Sequence, residues 1–393
     1  MAVYPTIHLL PGRHKRVKTG HPWVFSNEIA RSEIAFESGA AVNVIGDNGE
    51  SFGTAIYNPH TLLAGRIIDR GSNVALDTGF FEERLRYALA LRDRMFAAPY
   101  YRLIHAEADG LPGLIIDRYG NAVVIQFNTA GMDRLTDTVI AALDRVLTVQ
   151  TIILRNDSAS RELEGLPKTV TTLRGDDDTP VLVRENGAEF TTQPAVGQKT
   201  GWFYDQRANR AFVASLAGDT RMIDVFCYGG GFGIQSLLAG AEIATLVDRS
   251  ATALDDAAAS AARNGVDNRC TFIKADAFEE MERQDAAGER YGVVVADPPA
   301  FIRARKDIGA GSRAYQKMAR LAARLVAPGG ILFVASCSHH MPPDLFREAI
   351  RKGLGDSRRT GRILRDAGAG PDHPVHPHLP ETAYLKSLTL ALD

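Results

Sequence analysis

From Met222 onward, short apolar runs alternate with segments of helical periodicity, and this alternation limits the fold more than any other property of the chain. Met222-Ile-Asp-Val-Phe, Ala244-Thr-Leu-Val, Thr271-Phe-Ile, Val293-Val-Val-Ala and Ile331-Leu-Phe-Val-Ala read as strands. Ile234 to Leu238, Ala251 to Asn264 and Tyr315 to Leu325 read as the helices between them. Strands this apolar must be covered on both faces, so the expectation is an α/β unit built on a mostly parallel sheet. The alternation Ser387-Leu-Thr-Leu-Ala-Leu supplies a last strand.

The first 190 residues have a different style. Strand patterns separated by turns, among them Asp47-Asn48-Gly49, predict a small β-rich module over residues 1–75. Helical spacing from Phe80 to Phe96 predicts a linker helix, and strands at Tyr101, Leu114, Ala122 and Thr151 with a helix from Asp133 to Leu147 predict a central α+β domain over 76–190. Residues 191–393 then form the α/β domain. At 393 residues and 45% hydrophobic the chain can build several cores, and a net charge of −2 neither demands nor excludes a nucleic-acid partner. Any RNA footprint must be local. The basic run Arg13-His14-Lys15-Arg16-Val17-Lys18, followed by Trp23 and Phe25, is the candidate, and a solvated strand or loop beside a small aromatic core is the alternative. Three dispersed cysteines, Cys227, Cys270 and Cys337, fit neither a disulfide framework nor a zinc site. A reducing cytoplasm is expected, with no metal, no export signal and no membrane span.

Asp224-Val-Phe-Cys-Tyr-Gly229-Gly230-Gly231-Phe232-Gly233 follows a strand and opens a helix, where glycines let backbone N–H groups approach a ligand. Asp248 ends the next strand, about 20 residues on, where a carboxylate can take both ribose hydroxyls of an adenosine, or simply cap the following helix. A dinucleotide or S-adenosylmethionine can occupy such a cradle. Asp276-Ala277 after the third strand resembles the adenine contact of methyltransferases. Asp297-Pro298-Pro299-Ala300-Phe301 ends the fourth strand and resembles the substrate-base loop of the same enzymes. Cys337, between Ser336 and Ser338 at the end of the fifth strand, is a candidate nucleophile, with a small buried hydrophobe as the alternative. Carbon 5 of cytosine is a poor nucleophile until a thiolate adds at carbon 6, whereas nitrogen methylation needs no thiol. His339, His340, His373, His376 and His378 match no zinc spacing and read as loop histidines, the first two near enough to Cys337 to tune it.

Taken together these motifs resemble the bacterial large-subunit ribosomal RNA cytosine-C5 methyltransferases, the RlmI-like group, over nearly the whole chain. Gly20-His-Pro-Trp-Val-Phe25 is similar to the start of their PUA domain, an RNA-binding fold, and Gly110 to Gly120 to the opening hairpin of their central domain. Lys199-Thr-Gly-Trp-Phe-Tyr204-Asp205-Gln206 is similar to the segment closing over the methionine part of the cofactor, and Asp372-His-Pro to a late loop. The resemblance implies a PUA-like module, a central α+β domain and a Rossmann-like class I methyltransferase domain that binds S-adenosylmethionine. By that resemblance Cys337 and Asp297 are catalytic, the first attacking carbon 6 and the second holding the flipped base. Phe226, Tyr228, Gly229, Gly231, Gly233, Asp248, Arg249, Asp276, Ala277, Asp297, Tyr204, Asp205 and Gln206 would bind the cofactor. Arg13, Lys15, Arg16, Lys18, Trp23, Lys199, Pro298 and Phe301 would meet RNA. The partner implied is large-subunit ribosomal RNA; a homodimer stays open. The rivals are a guanine-nitrogen methyltransferase sharing the Asp-Pro-Pro-x-Phe loop, a non-catalytic RNA-binding assembly factor and, more distantly, a dinucleotide oxidoreductase. The base loop carries no second cysteine, so the acceptor of the carbon-5 proton is not identified by the sequence.

Overall fold

A computed structural model of the chain describes residues 3–176, 179–197 and 200–393. Two compact units emerge. The first comprises the residues up to Val181 together with Gln193–Trp202 and Asp372–Pro380; the second comprises Leu182–Thr192, Phe203–Pro371 and Glu381–Asp393.

The first unit holds two five-stranded sheets. One runs, in spatial order, Thr6–His8, Ala40–Ile45, Ser51–Tyr57, Leu63–Asp69 and Trp23–Phe25, and the Asp47-Asn48-Gly49 turn joins an antiparallel pair as its composition predicts. The basic run is a short helix, Lys15–Lys18, rather than the strand or loop considered above, because Val17 is drawn into the small core with Val24, Val42 and Val44. The other sheet orders Thr169–Arg174, Thr151–Asn156, Ala122–Phe127, Leu114–Tyr119 and Tyr100–His105. The helix Thr78–Met95, capped by Asp77, packs Phe81, Leu85 and Ala88 against that sheet's core.

By compactness the first two expected domains are grouped in one unit. Residues on either side of 75 share one unit: Trp23 Nε1 donates to Glu107 at 2.9 Å, and Arg66 pairs with the buried Glu164 at 2.7 Å. The hairpin Val181–Glu185 and Ala188–Thr192 belongs, from Leu182, to the second unit, since Glu185 is buried against Arg210 at 2.6 Å and Gln235 at 2.9 Å.

The second unit is a seven-stranded sheet labelled here β1 (Arg221–Val225), β2 (Ile243–Asp248), β3 (Cys270–Lys274), β4 (Tyr291–Ala296), β5 (Val326–Ser336), β6 (Gly361–Ala367) and β7 (Lys386–Leu392). Its spatial order is β3-β2-β1-β4-β5-β7-β6, with β1 to β5 parallel and β7 antiparallel to both neighbours. The helices are α1 (Arg207–Ala214), α2 (Gly231–Leu238), α3 (Ala251–Arg263), α4 (Ala277–Ala286), α5 (Ile308–Leu325) and α6 (Pro343–Asp356). Ser250 caps α3 and Asp276 caps α4. Register aligns Val225 with both Val247 and Ala296, Ala296 with Val334, and Ser336 with Lys386. The motifs that follow β1 to β5 therefore leave the sheet at one edge, where open α/β sheets bind ligands. The expected α/β architecture is the one observed.

Candidate active site

The loop after β1 is built for close approach. Phe226 and Tyr228 take left-handed backbone angles (φ 66° and 48°), and Gly230, at φ 74°, opens α2. Strain of this kind in non-glycine residues is kept where the surroundings over-determine it, typically at ligand sites. Gly233 has another reason to be glycine: a Cβ there would lie 2.3 Å from Leu246 Cδ2 on β2. Tyr228 N–H donates to Asp248 at 3.0 Å, so the carboxylate ending β2 ties down the glycine-rich turn, and its other oxygen accepts from Ser250 N–H at 2.9 Å. Asp248 is thus not the helix cap; Ser250 is.

Three carboxylates gather where β1, β2 and β4 end. Asp224, 1% exposed, accepts from Gly233 N–H at 3.2 Å through one oxygen, while the other is buried without a hydrogen bond. Burial, reinforced by Asp297 and Asp248, pushes Asp224 up to about 8. A buried acid with an unbonded oxygen beside two further acids is suited to a cationic ligand, and S-adenosylmethionine, with its sulfonium and ammonium groups, fits it. Gln206 Nε2 donates to Asp297 at 2.8 Å and is itself held by Asn209 at 2.6 Å, which fixes the orientation of the base-loop carboxylate. Asp205 accepts from Tyr384 O–H at 2.5 Å, and Tyr204 is buried under Arg207.

The base loop and the cysteine meet. Cys337 Sγ lies 3.9 Å from the Pro298 carbonyl oxygen. The serines beside it are not solvent-facing: Ser336 Oγ donates to Tyr315 O–H at 2.8 Å, Ser338 Oγ shares a 2.9 Å bond with the same hydroxyl, and Ile302 N–H donates to Ser338 Oγ at 3.1 Å. Two buried serines therefore brace the half-buried Cys337 between α5 and the end of the base loop. Of the other cysteines, burial pushes the Cys227 thiol well up and Cys270 to about 11. Phe226, Phe278, Phe301 and Tyr315 follow one another ring to ring at 4.8 to 6.3 Å, forming an aromatic wall past these strand ends.

The remaining sequence candidates fall into place unevenly. Gly229 and Gly231 lie buried in the turn, Ala277 is buried behind it, and Arg249 and Asp276 are exposed, Asp276 with one oxygen capping α4. Arg13, Lys15, Arg16 and Lys18 are exposed, but Arg16 pairs with Glu28 and Lys18 with Glu50. Trp23 is half-buried with its indole N–H bonded to Glu107. Lys199 lies outside the described residues. His373 is buried, bonded to Asp372 and packed on the ring of His105, so it is an internal anchor more than an open-loop residue. His339 is exposed and stacks on Tyr384. Asp224, Asn209, Tyr315 and Lys386 were not among the expected site residues. Only Asp224 had a signal, its place at the head of the glycine-rich motif.

Residues 7–70 match the family model of a PUA-like domain, and residues 126–372, more than half the chain, match that of an S-adenosylmethionine-dependent methyltransferase. A relative from Pseudoalteromonas atlantica, named ribosomal RNA large subunit methyltransferase I, is 36% identical over 387 residues and covers 98% of each chain. Another of that name, from Aeromonas salmonicida, is 35% identical over 389 residues with the same coverage. A solved structure complexed with SAH superposes with a TM-score of 0.83 at 21% identity, covering 98% of this chain and 99% of that one, a likeness of fold.

Proposed function

Because the chain belongs to the ribosomal RNA large subunit methyltransferase I family, whose catalytic domain is S-adenosylmethionine-dependent, we propose that it forms 5-methylcytosine in large-subunit ribosomal RNA in the cytoplasm, using Cys337 as nucleophile. S-adenosylmethionine supplies the electrophilic methyl group. Asp224 and Asp248 balance and orient the cofactor, with the strained Phe226-to-Tyr228 turn supporting its adenosine portion. Among the described residues no helix is long and apolar enough to cross a membrane.

The observation that carries the reading is the approach of Cys337 Sγ to the Pro298 carbonyl at 3.9 Å, which sets the thiol beside the loop that ends in Phe301. A cytosine taken out of its stack into this edge would find Cys337 at carbon 6, with Asp297, oriented by Gln206, at its nitrogen-3 and amino edge. Addition of the thiolate at carbon 6 moves the ring's electron pair toward carbon 5, which becomes enamine-like and takes the methyl group. A base, which is water or a neighbouring carboxylate or histidine, then takes the carbon-5 proton; the electron pair of that bond re-forms the carbon 5–carbon 6 double bond as the carbon–sulfur bond breaks, restoring the thiolate. The PUA-like module and its basic residues would orient the RNA through phosphate contacts.

The test uses RNA bearing 5-fluorocytidine, whose carbon-5 fluorine blocks the final elimination. A cofactor-dependent covalent adduct on a denaturing gel, abolished in Cys337→Ala, is the expected result. No adduct with a verified substrate, or one surviving the substitution, overturns the thiolate mechanism.

A further inference from the structure

Across the sheet from the Cys337 strand lies a buried lysine that methyl transfer as described above does not use. Lys386 is 7% exposed and faces Ser336 in the antiparallel register of β5 and β7. Its Nζ donates to the carbonyl of Ser338 at 2.7 Å and to that of Tyr384 at 2.6 Å. Both acceptors are neutral. Desolvating an ammonium against neutral carbonyls is costly, and a glutamine could clamp the same carbonyl without the charge.

The charge has a counterpart nearby. Burial pulls Lys386 down to about 8, and Cys337 acts in the opposite direction, holding the proton on the amine. Such coupling is reciprocal: a thiolate that favours the ammonium is favoured by it. The other titratable groups around the sulfur do not substitute for Lys386. Tyr315, on α5, is pushed up by burial and is neutral at physiological pH. Asp297, on the base loop, is an acid, and its charge opposes a thiolate. His339 and His340, two and three residues after the cysteine, are exposed, with the His339 ring against Tyr384.

We propose that Lys386 is a positioning residue for Cys337: it clamps the carbonyl just after the cysteine and brings to that strand end a positive charge that favours the thiolate. This rests on the nucleophilic role of Cys337. The pH dependence of its reactivity is nevertheless a separate quantity, and it is what the experiment reads.

The full-length protein is alkylated with iodoacetamide across pH 5 to 10, and the Cys337 peptide is followed by mass spectrometry in the unmodified protein, Lys386→Met and Lys386→Gln. S-adenosylmethionine binding by calorimetry reports folding. Both variants should move the alkylation midpoint up by about one pH unit or more, with a roughly tenfold slower reaction at pH 7, while cofactor binding is kept. If Lys386→Met fails to bind cofactor, Lys386→Gln, which retains a donor for the Ser338 carbonyl, decides. A Lys386→Gln midpoint equal to that of the unmodified protein overturns the proposal. Loss of the fluorocytidine adduct in Cys337→Ala alongside an unmoved midpoint would remove Lys386 and leave the nucleophile standing. An adduct that survives Cys337→Ala would remove the nucleophile itself.

Discussion

Replacing Asp224 by asparagine separates what the fold tolerates from what the cofactor needs. Asp224 is buried at the end of β1 with one oxygen bonded to Gly233 and the other without a hydrogen bond, and it is raised to about 8 from an ordinary 3.8. At about 1.4 kcal/mol per pKa unit, a rise of roughly four units sets an upper bound of about 6 kcal/mol. The direction follows from proton counting. Between the unfolded and folded pKa values the native state binds more protons than the unfolded one, so stability falls as pH rises. The contribution is whole below pH ~4 and lost by pH ~8. An asparagine keeps the Gly233 bond through its amide oxygen and has no proton to release. After structural relaxation, the cofactor-free variant should therefore exceed the unmodified protein by about 2–4 kcal/mol at pH 8 and by much less at pH 5. Urea unfolding at both pH values, without cofactor, measures this. At pH 9, where the carboxyl is ionised, the same substitution should weaken S-adenosylmethionine binding by roughly thirtyfold or more in calorimetry, as removal of one member of a buried charge pair costs about 2–5 kcal/mol. An identical pH slope in both proteins, or unchanged cofactor affinity, would refute the carboxylate-cluster argument.

Two further outcomes test the cradle and the proposed RNA contacts. In Gly233→Ala the new Cβ would fall 2.3 Å from Leu246, a fully buried side chain, so the urea midpoint should drop by the equivalent of about 1–3 kcal/mol and cofactor binding should weaken with it; an unmoved midpoint would mean that β2 yields freely. Substituting the exposed Arg13 and Lys15 together by alanine should lessen the dependence of log affinity on log salt by about two for ribosomal RNA fragments, without loss of sequence preference. An unchanged slope removes the N-terminal run from the interface.

The sequence made some of this architecture legible and hid the rest for physical reasons. Apolar runs such as Val293-Val-Val-Ala declare themselves because a strand covered on both faces has no polar positions to confuse the pattern. β6 escaped notice because it is an edge strand, mostly exposed, and Gly361-Arg-Ile-Leu-Arg-Asp-Ala shows no alternation. The glycine-rich turn and Asp248 were readable since their spacing is local to one β-α-β passage. Tyr315 and Lys386 were not: each meets its site partner through helix packing or sheet register across 21 and 48 residues of chain that no motif spans, while Asn209, only three residues from Gln206, belongs to no motif that would single it out. The serines around Cys337 suggested a reactive thiol from sequence, yet their hydroxyls turn inward and serve as struts.

The first unit's hold on Asp372–Pro380 has a consequence for how the protein is made. Arg102 N–H and the fully buried Arg92 both bond to Asp372, and Arg92 also grips Asp109. Those partners are separated by some 270 residues of chain, so a nascent polypeptide leaving its exit tunnel must keep this corner unfinished until nearly all of it has been translated. Cutting the gene after Val181 would never deliver the missing carboxylate, and a fragment made that way would expose an arginine with part of its hydrogen bonding gone. The interleaved chain thereby makes the two units poor candidates for separate expression, and it favours a protein that matures as one piece.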